Sequence, residues 1–197
     1  NGLACDARIR FLHECLNDLV DQYETTGGRL TFFHEDPTDL LPELDDLVDE
    51  IITTADPTGR YGLQRDNAIA ETCDISFIDD DGLKRDVEDT REGWDKHVES
   101  WLTDNQHTFN ATSTRVLDIL TGLTPNKIAD HYSLSSEKII NRTGGTTQAR
   151  ELLTEFSKQI ADYPSNISAP QDARSGTSQL SPYLRFGCLS VRQVYQE

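Results

Sequence analysis

The chain contains no methionine, and only five of its 18 basic residues are lysine. It also has no apolar run near the roughly 18 residues that a membrane-spanning helix requires, and no basic-then-apolar leader. The expectation is a soluble, cytoplasmic protein with no membrane partner. Its four cysteines, Cys5, Cys15, Cys73 and Cys188, form no Cys-x-x-Cys pair and have no histidine at ligand spacing. They therefore read as small buried apolar residues rather than metal ligands or a disulfide framework. His13, His34, His97, His107 and His131 are dispersed, and none sits in a zinc or nucleophile motif. Asp79-Asp80-Asp81 has the composition of a cation site but reads as a solvated turn.

Positive charge is scarce as well. Asp and Glu number 35 against 18 Lys and Arg, a net charge of −17. Generic nucleic-acid binding favours a basic surface, so this balance argues against it while leaving room for a local arginine patch. Disorder is equally disfavoured, because Leu, Ile, Val and Phe recur periodically. An acidic, lysine-poor but folded surface fits a high-salt cytoplasm, where screening relieves self-repulsion, and the source reads as halophilic. The chain opens directly into one amphipathic helix and ends on another, from Val191 to Glu197, so it reads as an internal fragment.

From Asp6 to about Tyr23, Ile9, Leu12, Leu16, Leu19 and Val20 recur at helical spacing. Thr25-Thr26-Gly27-Gly28 stops that helix, and Arg29 to Phe33 reads as a short strand. Asp36-Pro37 caps a second helix, with Leu40, Leu41, Leu44, Leu47 and Val48 on its inner side. Ile51–Thr54 and Ile75–Ile78 read as strands with a helix between them, from Arg60 to Cys73. This alternation implies an α/β fold with a parallel sheet covered on both faces. Arg91 to Leu102 is a helix carrying Trp94 and Trp101 on one side, as core or interface anchors or, more sharply, as a redox relay. Residues 105–143 are polar, with weak helical pieces at 114–120 and 126–132, and read as an interdomain connection. A strong helix then starts at Gly144-Gly145-Thr146-Thr147, buries Ala149, Leu152, Leu153, Phe156 and Ile160, and ends at Tyr163-Pro164. The expected division is 1–104, 105–143 and 144–197.

The segment Gly176-Thr177-Ser178-Gln179-Leu180-Ser181-Pro182-Tyr183-Leu184-Arg185-Phe186-Gly187 combines glycine, three hydroxyl residues and a proline that can open a helix. Such a composition suits a phosphate cradle of close backbone, hydroxyl donors and amides at a helix start. An ordinary capped helix start has the same composition. The segment closely resembles the signature of the photolyase/cryptochrome family. Two further stretches are similar to that family. Arg8 to Leu19, continuing to Arg29-Leu30 and Glu35-Asp36-Pro37, looks like the second helix and third strand of its amino-terminal α/β domain. Gly144-Gly145-Thr146-Thr147-Gln148-Ala149, with Leu152, Leu153 and Phe156, looks like the helix introducing its FAD-binding domain.

The resemblance implies a partial Rossmann-like photolyase α/β domain followed by the start of an all-α FAD-binding domain. It implies a flavin-dependent light enzyme that repairs pyrimidine dimers in UV-damaged DNA, and a monomer is expected. An antenna chromophore of the folate or deazaflavin type is possible within the α/β domain. Thr177, Ser178, Gln179, Leu180 and Ser181 fall on the positions that contact FAD, chiefly its diphosphate. Leu180 would turn inward to packing. Many relatives carry arginine where this chain has Gln179, which removes a positive charge beside the diphosphate. Tyr163 corresponds to a tyrosine that contacts the flavin, although the intervening loop is slightly longer here. Arg174 and Arg185 are the cations nearest the family's DNA-engaging loop, and each also suits a surface salt bridge. Most of the pocket lies beyond Glu197 in the family, so the chain alone is expected to bind FAD weakly or not at all.

A cryptochrome-type light receptor without repair activity shares every segment quoted. A flavin-free helix-turn-helix over Leu180 to Tyr195, with Gly187 in the turn, is a rival from another class. Only Arg185 and Arg192 would supply its charge.

Overall fold

A computed structural model describes residues 6–56, 59–79, 82–83, 93–108, 117–132, 142–165 and 176–197. It contains helices and one two-stranded parallel sheet: α1 (Asp6–Thr25), α2 (Pro37–Asp45), β1 (Ile51–Thr54), α3 (Gly59–Ala70), β2 (Ile75–Ile78), α4 (Trp94–Thr103), α5 (Pro125–His131), α6 (Thr146–Ser157), a 3₁₀ turn (Ile160–Ser165), α7 (Ser181–Arg185) and α8 (Val191–Gln196). Two compact units form. One comprises Asn1–Phe32, Gln106–Arg115 and Leu120–Glu197; the other comprises Phe33–Asn105 and Val116–Ile119.

In the second unit, β1 and β2 pair in parallel with Ile51 opposite Ile75 and Thr54 opposite Ile78. The crossover helix α3 packs against α2. Asp66 on α3 is buried and joins the crossover to the end of β1. Its carboxylate accepts the Asp56 N–H at 2.9 Å and the Arg65 guanidinium at 2.6 and 2.9 Å. This satisfies a charge that would otherwise be costly to bury. Ile52 and Ile78 remain 57% and 49% exposed, so the expected covering of both sheet faces is not seen among the described residues. Neither tryptophan of α4 is buried, and Trp101 lies against Gly82.

The first unit holds the main core: Phe11, Cys15, Ala149, Leu153, Leu180, Tyr183, Cys188 and Leu189. On α1 the deepest residues are Phe11 and Cys15, one turn apart, whereas Leu12 is 36% exposed. The buried stripe is thus rotated from the expected Ile9–Leu12–Leu16 face, because α1 packs on α6 and α7 brings its aromatic ring to the Phe11 side.

Two expected elements differ. Residues 29–33 run without helix or ladder, and the Phe32 carbonyl accepts the Thr121 hydroxyl at 2.8 Å instead of a strand partner. Residues 117–120 are not helical, and Leu120 is 79% exposed there; residues 114–116 lie outside the described residues. The α5 start is set one residue earlier than expected by Thr124, whose hydroxyl accepts the Lys127 N–H ahead of Pro125 at the first helical position. Likewise, α6 ends at Ser157 and the chain continues as a 3₁₀ turn through Tyr163, rather than as α-helix.

Candidate functional site

The signature segment leads into α7 and is anchored by two buried residues. Leu180 and Tyr183 are 2% and 1% exposed. The Tyr183 ring stands edge-on to Phe11 at 5.2 Å, and its hydroxyl donates to the Thr143 carbonyl at 2.7 Å. Burial pushes the Tyr183 phenol above its usual range, an effect opposed by the Arg142 charge. The inward turn expected of Leu180 is therefore present.

Gly187 terminates α7. At φ 72° it occupies the left-handed region, and two amides fold back on the helix: Gly187 N–H to Leu184 at 3.3 Å and Cys188 N–H to Tyr183 at 2.9 Å. This is a Schellman closure, which requires positive φ at that position. It swings Cys188 and Leu189 into the core. Ser190 then opens α8 with a capping box, its hydroxyl accepting from Gln193 N–H at 3.0 Å and the Gln193 side chain accepting from Ser190 N–H at 2.9 Å.

The start of α6 is held from α1. Gly144 lies so close to α1 that a Cβ would collide with the Phe11 carbonyl oxygen and approach Cys15 Sγ to 2.7 Å. Asp18 accepts the Thr146 N–H at 2.8 Å and the Thr147 hydroxyl at 2.7 Å, while Glu14 accepts the Gly144 N–H at 2.8 Å. Two carboxylates 128–130 residues away in sequence thus do the capping that no residue adjacent to α6 performs.

Within the signature, Thr177, Ser178 and Gln179 are half-buried and Ser181 is exposed. Ser178 Oγ accepts the Leu180 N–H at 3.5 Å. Among the described residues, Gln179 is the only non-glycine residue with positive φ, at 52°. The Arg142 guanidinium donates to Gln179 Oε1 at 2.5 Å. Arg185 is exposed in the last turn of α7. Tyr163 is 39% exposed and packs edge-on against Phe156 of α6 at 5.6 Å. Arg174 lies outside the described residues. A cavity of about 100 Å³ between α6 and α8, lined by Arg150, Leu153 and Gln193 among others, includes none of the signature residues. It is far below the volume a dinucleotide occupies.

A family model described as DNA photolyase matches residues 3–82. Deoxyribodipyrimidine photo-lyase of Synechococcus sp. is 29% identical over 212 aligned residues, which cover 96% of this chain and 43% of that protein. The amino-terminal part of the chain is thus similar to DNA photolyases by family model, and nearly the whole chain is similar to a deoxyribodipyrimidine photo-lyase. Cryptochrome-2 of Arabidopsis thaliana is 47% identical over 53 residues, 26% of this chain and 8% of that protein. The chain spans less than half the length of either curated relative.

A backbone positioned by two buried side chains, with hydroxyls and an amide around it, has the donor chemistry that a diphosphate requires. Helix α7 is only five residues long, so the site depends on individual donors rather than on a helix macrodipole. The same shortness counts against the helix-turn-helix reading. The residues that sequence reasoning missed are Arg142, Glu14 and Asp18. The acids lie on the flank of an amphipathic helix, and Arg142 lies in a polar connection, so no local motif marks them. Among the described residues no His, Cys, Asp or Glu group is arranged for a metal, and no helix is long and apolar enough to cross a membrane.

Proposed function

We propose that this chain is part of a DNA photolyase that uses FAD and blue light to split pyrimidine dimers in UV-damaged DNA. The single observation carrying this reading is the signature Thr177–Ser181 on a scaffold whose sequence aligns along nearly its whole length with a deoxyribodipyrimidine photo-lyase. In this reading residues 1–104 are a Rossmann-like antenna-type domain, 105–143 a connection, and 144–197 the beginning of the helical FAD-binding domain.

Thr177, Ser178 and Ser181 would donate to the FAD diphosphate, Gln179 would present its amide there, and Leu180 would hold the loop against the core. Tyr163 would contact the flavin through its exposed face. Arg174 and Arg185 would meet DNA phosphates at the mouth of the site. When bound, FAD supplies the light-driven electron transfer, and the protein supplies its geometry and electrostatics. The dimer would be flipped from the duplex, at an unstacking cost lowest where the base pairs are already damaged.

A cryptochrome-type light receptor is the second reading, favoured by the 47% identity to Cryptochrome-2 over 53 residues. The test is repair by the full-length gene product, loaded with reduced FAD in high salt, on oligonucleotides carrying a cyclobutane dimer or a 6-4 photoproduct. Light-only reversal of either lesion is expected. A protein that holds flavin but reverses neither is a receptor, and one that holds no flavin refutes both readings.

A further inference from the structure

We propose that Arg142, from the connection preceding α6, supplies the positive charge facing the FAD diphosphate that Gln179 leaves out of the signature. This rests on the flavin-binding reading above. Gln179 itself brings no charge to the signature, yet its position is not left without a cation. The Arg142 guanidinium reaches Gln179 Oε1 at 2.5 Å across 37 residues of sequence. Gln179 is held for this contact by its left-handed backbone, φ 52°, between half-buried Ser178 and fully buried Leu180.

Two features make the arrangement suited to a phosphate rather than to a structural ion pair. The hydrogen-bond partner is a neutral amide, which orients the guanidinium without cancelling its charge. A guanidinium has five N–H donors in a planar fork, so one bond to an amide leaves an edge for bidentate phosphate contact. The nearby Glu14 carboxylate is engaged elsewhere, by the Gly144 N–H at 2.8 Å and by Arg10 at 3.6 Å. The backbone beside Arg142 is also fixed, because the Thr143 carbonyl takes the Tyr183 hydroxyl at 2.7 Å and Tyr183 is a core residue. Arg142 is itself half-buried. It is therefore positioned before any ligand arrives, which lowers the ordering cost of binding.

The site thus divides one residue's work between two. Gln179 occupies the signature position and aims the donor, while Arg142 carries the charge. In a saline environment this has a physical advantage: a half-buried cation is screened less than one exposed on a loop tip.

The test is flavin binding by the full-length gene product, stripped of cofactor and titrated with FAD and, separately, with riboflavin, which lacks the diphosphate. Flavin fluorescence provides the readout. Arg142→Gln should weaken FAD about tenfold to a hundredfold, the range for a charged hydrogen bond, with riboflavin affinity changed less than about twofold. Arg142→Lys, which keeps the charge without the fork, should fall between the two and carries the test on its own if Arg142→Gln does not fold. The double variant Arg142→Gln/Gln179→Arg should regain most of the FAD affinity. Wild-type FAD affinity in both single variants overturns the proposal, as does an equal loss for FAD and riboflavin. If the wild-type protein itself binds no FAD, the flavin reading falls and this one with it.

Discussion

Cys15 and Cys188 illustrate what single residues contribute to this site and what they do not. Their sulfurs lie 3.3 Å apart in the core, and both are buried as free thiols. Burial, the thiol hydrogen bond and the neighbouring sulfur push Cys15 from 9.0 up to about 12. The thiolate is thus scarce at any physiological pH, and the pair is packing material rather than a nucleophile. The sign follows from linkage. Because the folded thiol holds its proton more tightly than the unfolded one, its stabilising contribution is complete below pH 9.0 and is lost as pH rises towards about 12. Native protein treated with iodoacetamide at pH 8.5 should label half-buried Cys73 while sparing Cys15 and Cys188, and all three should label in denaturant. Rapid native labelling of Cys15 would contradict the packing described. Burial of Cys15 and Cys188 was legible in the sequence, from the absence of ligand spacing. Their adjacency was not, since 173 residues separate them.

At the scale of elements, the helices whose signals are local are those the sequence discloses. Asp36-Pro37 and the β1–α3–β2 crossover appear where their capping and apolar patterns place them. The start of α6 is also legible from Gly144-Gly145-Thr146-Thr147, but its cause is not. Gly145 at the N-cap makes no side-chain cap, and the missing acceptor is Asp18 of α1. The strand expected at 29–33 fails for a similar reason: an extended apolar run becomes a strand only where a neighbour offers a ladder. Asp18→Ala should strand the Thr146 N–H and the Thr147 hydroxyl and cost about 1–2 kcal/mol, the scale of a lost helix cap. The urea midpoint should fall while the m-value stays constant. A midpoint shift below about 0.3 kcal/mol equivalent would mean that water replaces the carboxylate without loss. Asn at this position should retain part of the cap, because its carbonyl oxygen can still accept one N–H.

For the molecule as a whole, charge is the dominant unspent fact. The net charge of −17 is set by composition, whereas the ion pairs seen, such as Arg10 with Glu14 at 3.6 Å, are partly exposed and worth little individually. Carboxylates therefore repel one another over the surface with few cations among them, and compactness depends on the solvent's ions. The Debye length falls from about 10 Å at 0.1 M salt to about 3 Å at 1 M, so screening strengthens. The thermal midpoint should therefore rise by several degrees over that interval of KCl and flatten above it, as the remaining repulsion vanishes. A rise that continued linearly to 3 M would instead indicate preferential exclusion of salt from the surface, and a flat profile would remove electrostatic repulsion as a factor in stability. The same screening weakens every exposed contact to a DNA phosphate. At high salt, a chain of this charge would then hold an anionic ligand mainly by shape, by buried donors and by half-buried cations. At the signature, Leu180 and Tyr183 fix the loop from within, and half-buried Arg142 is oriented through a neutral amide, so these positions would lose least to added salt.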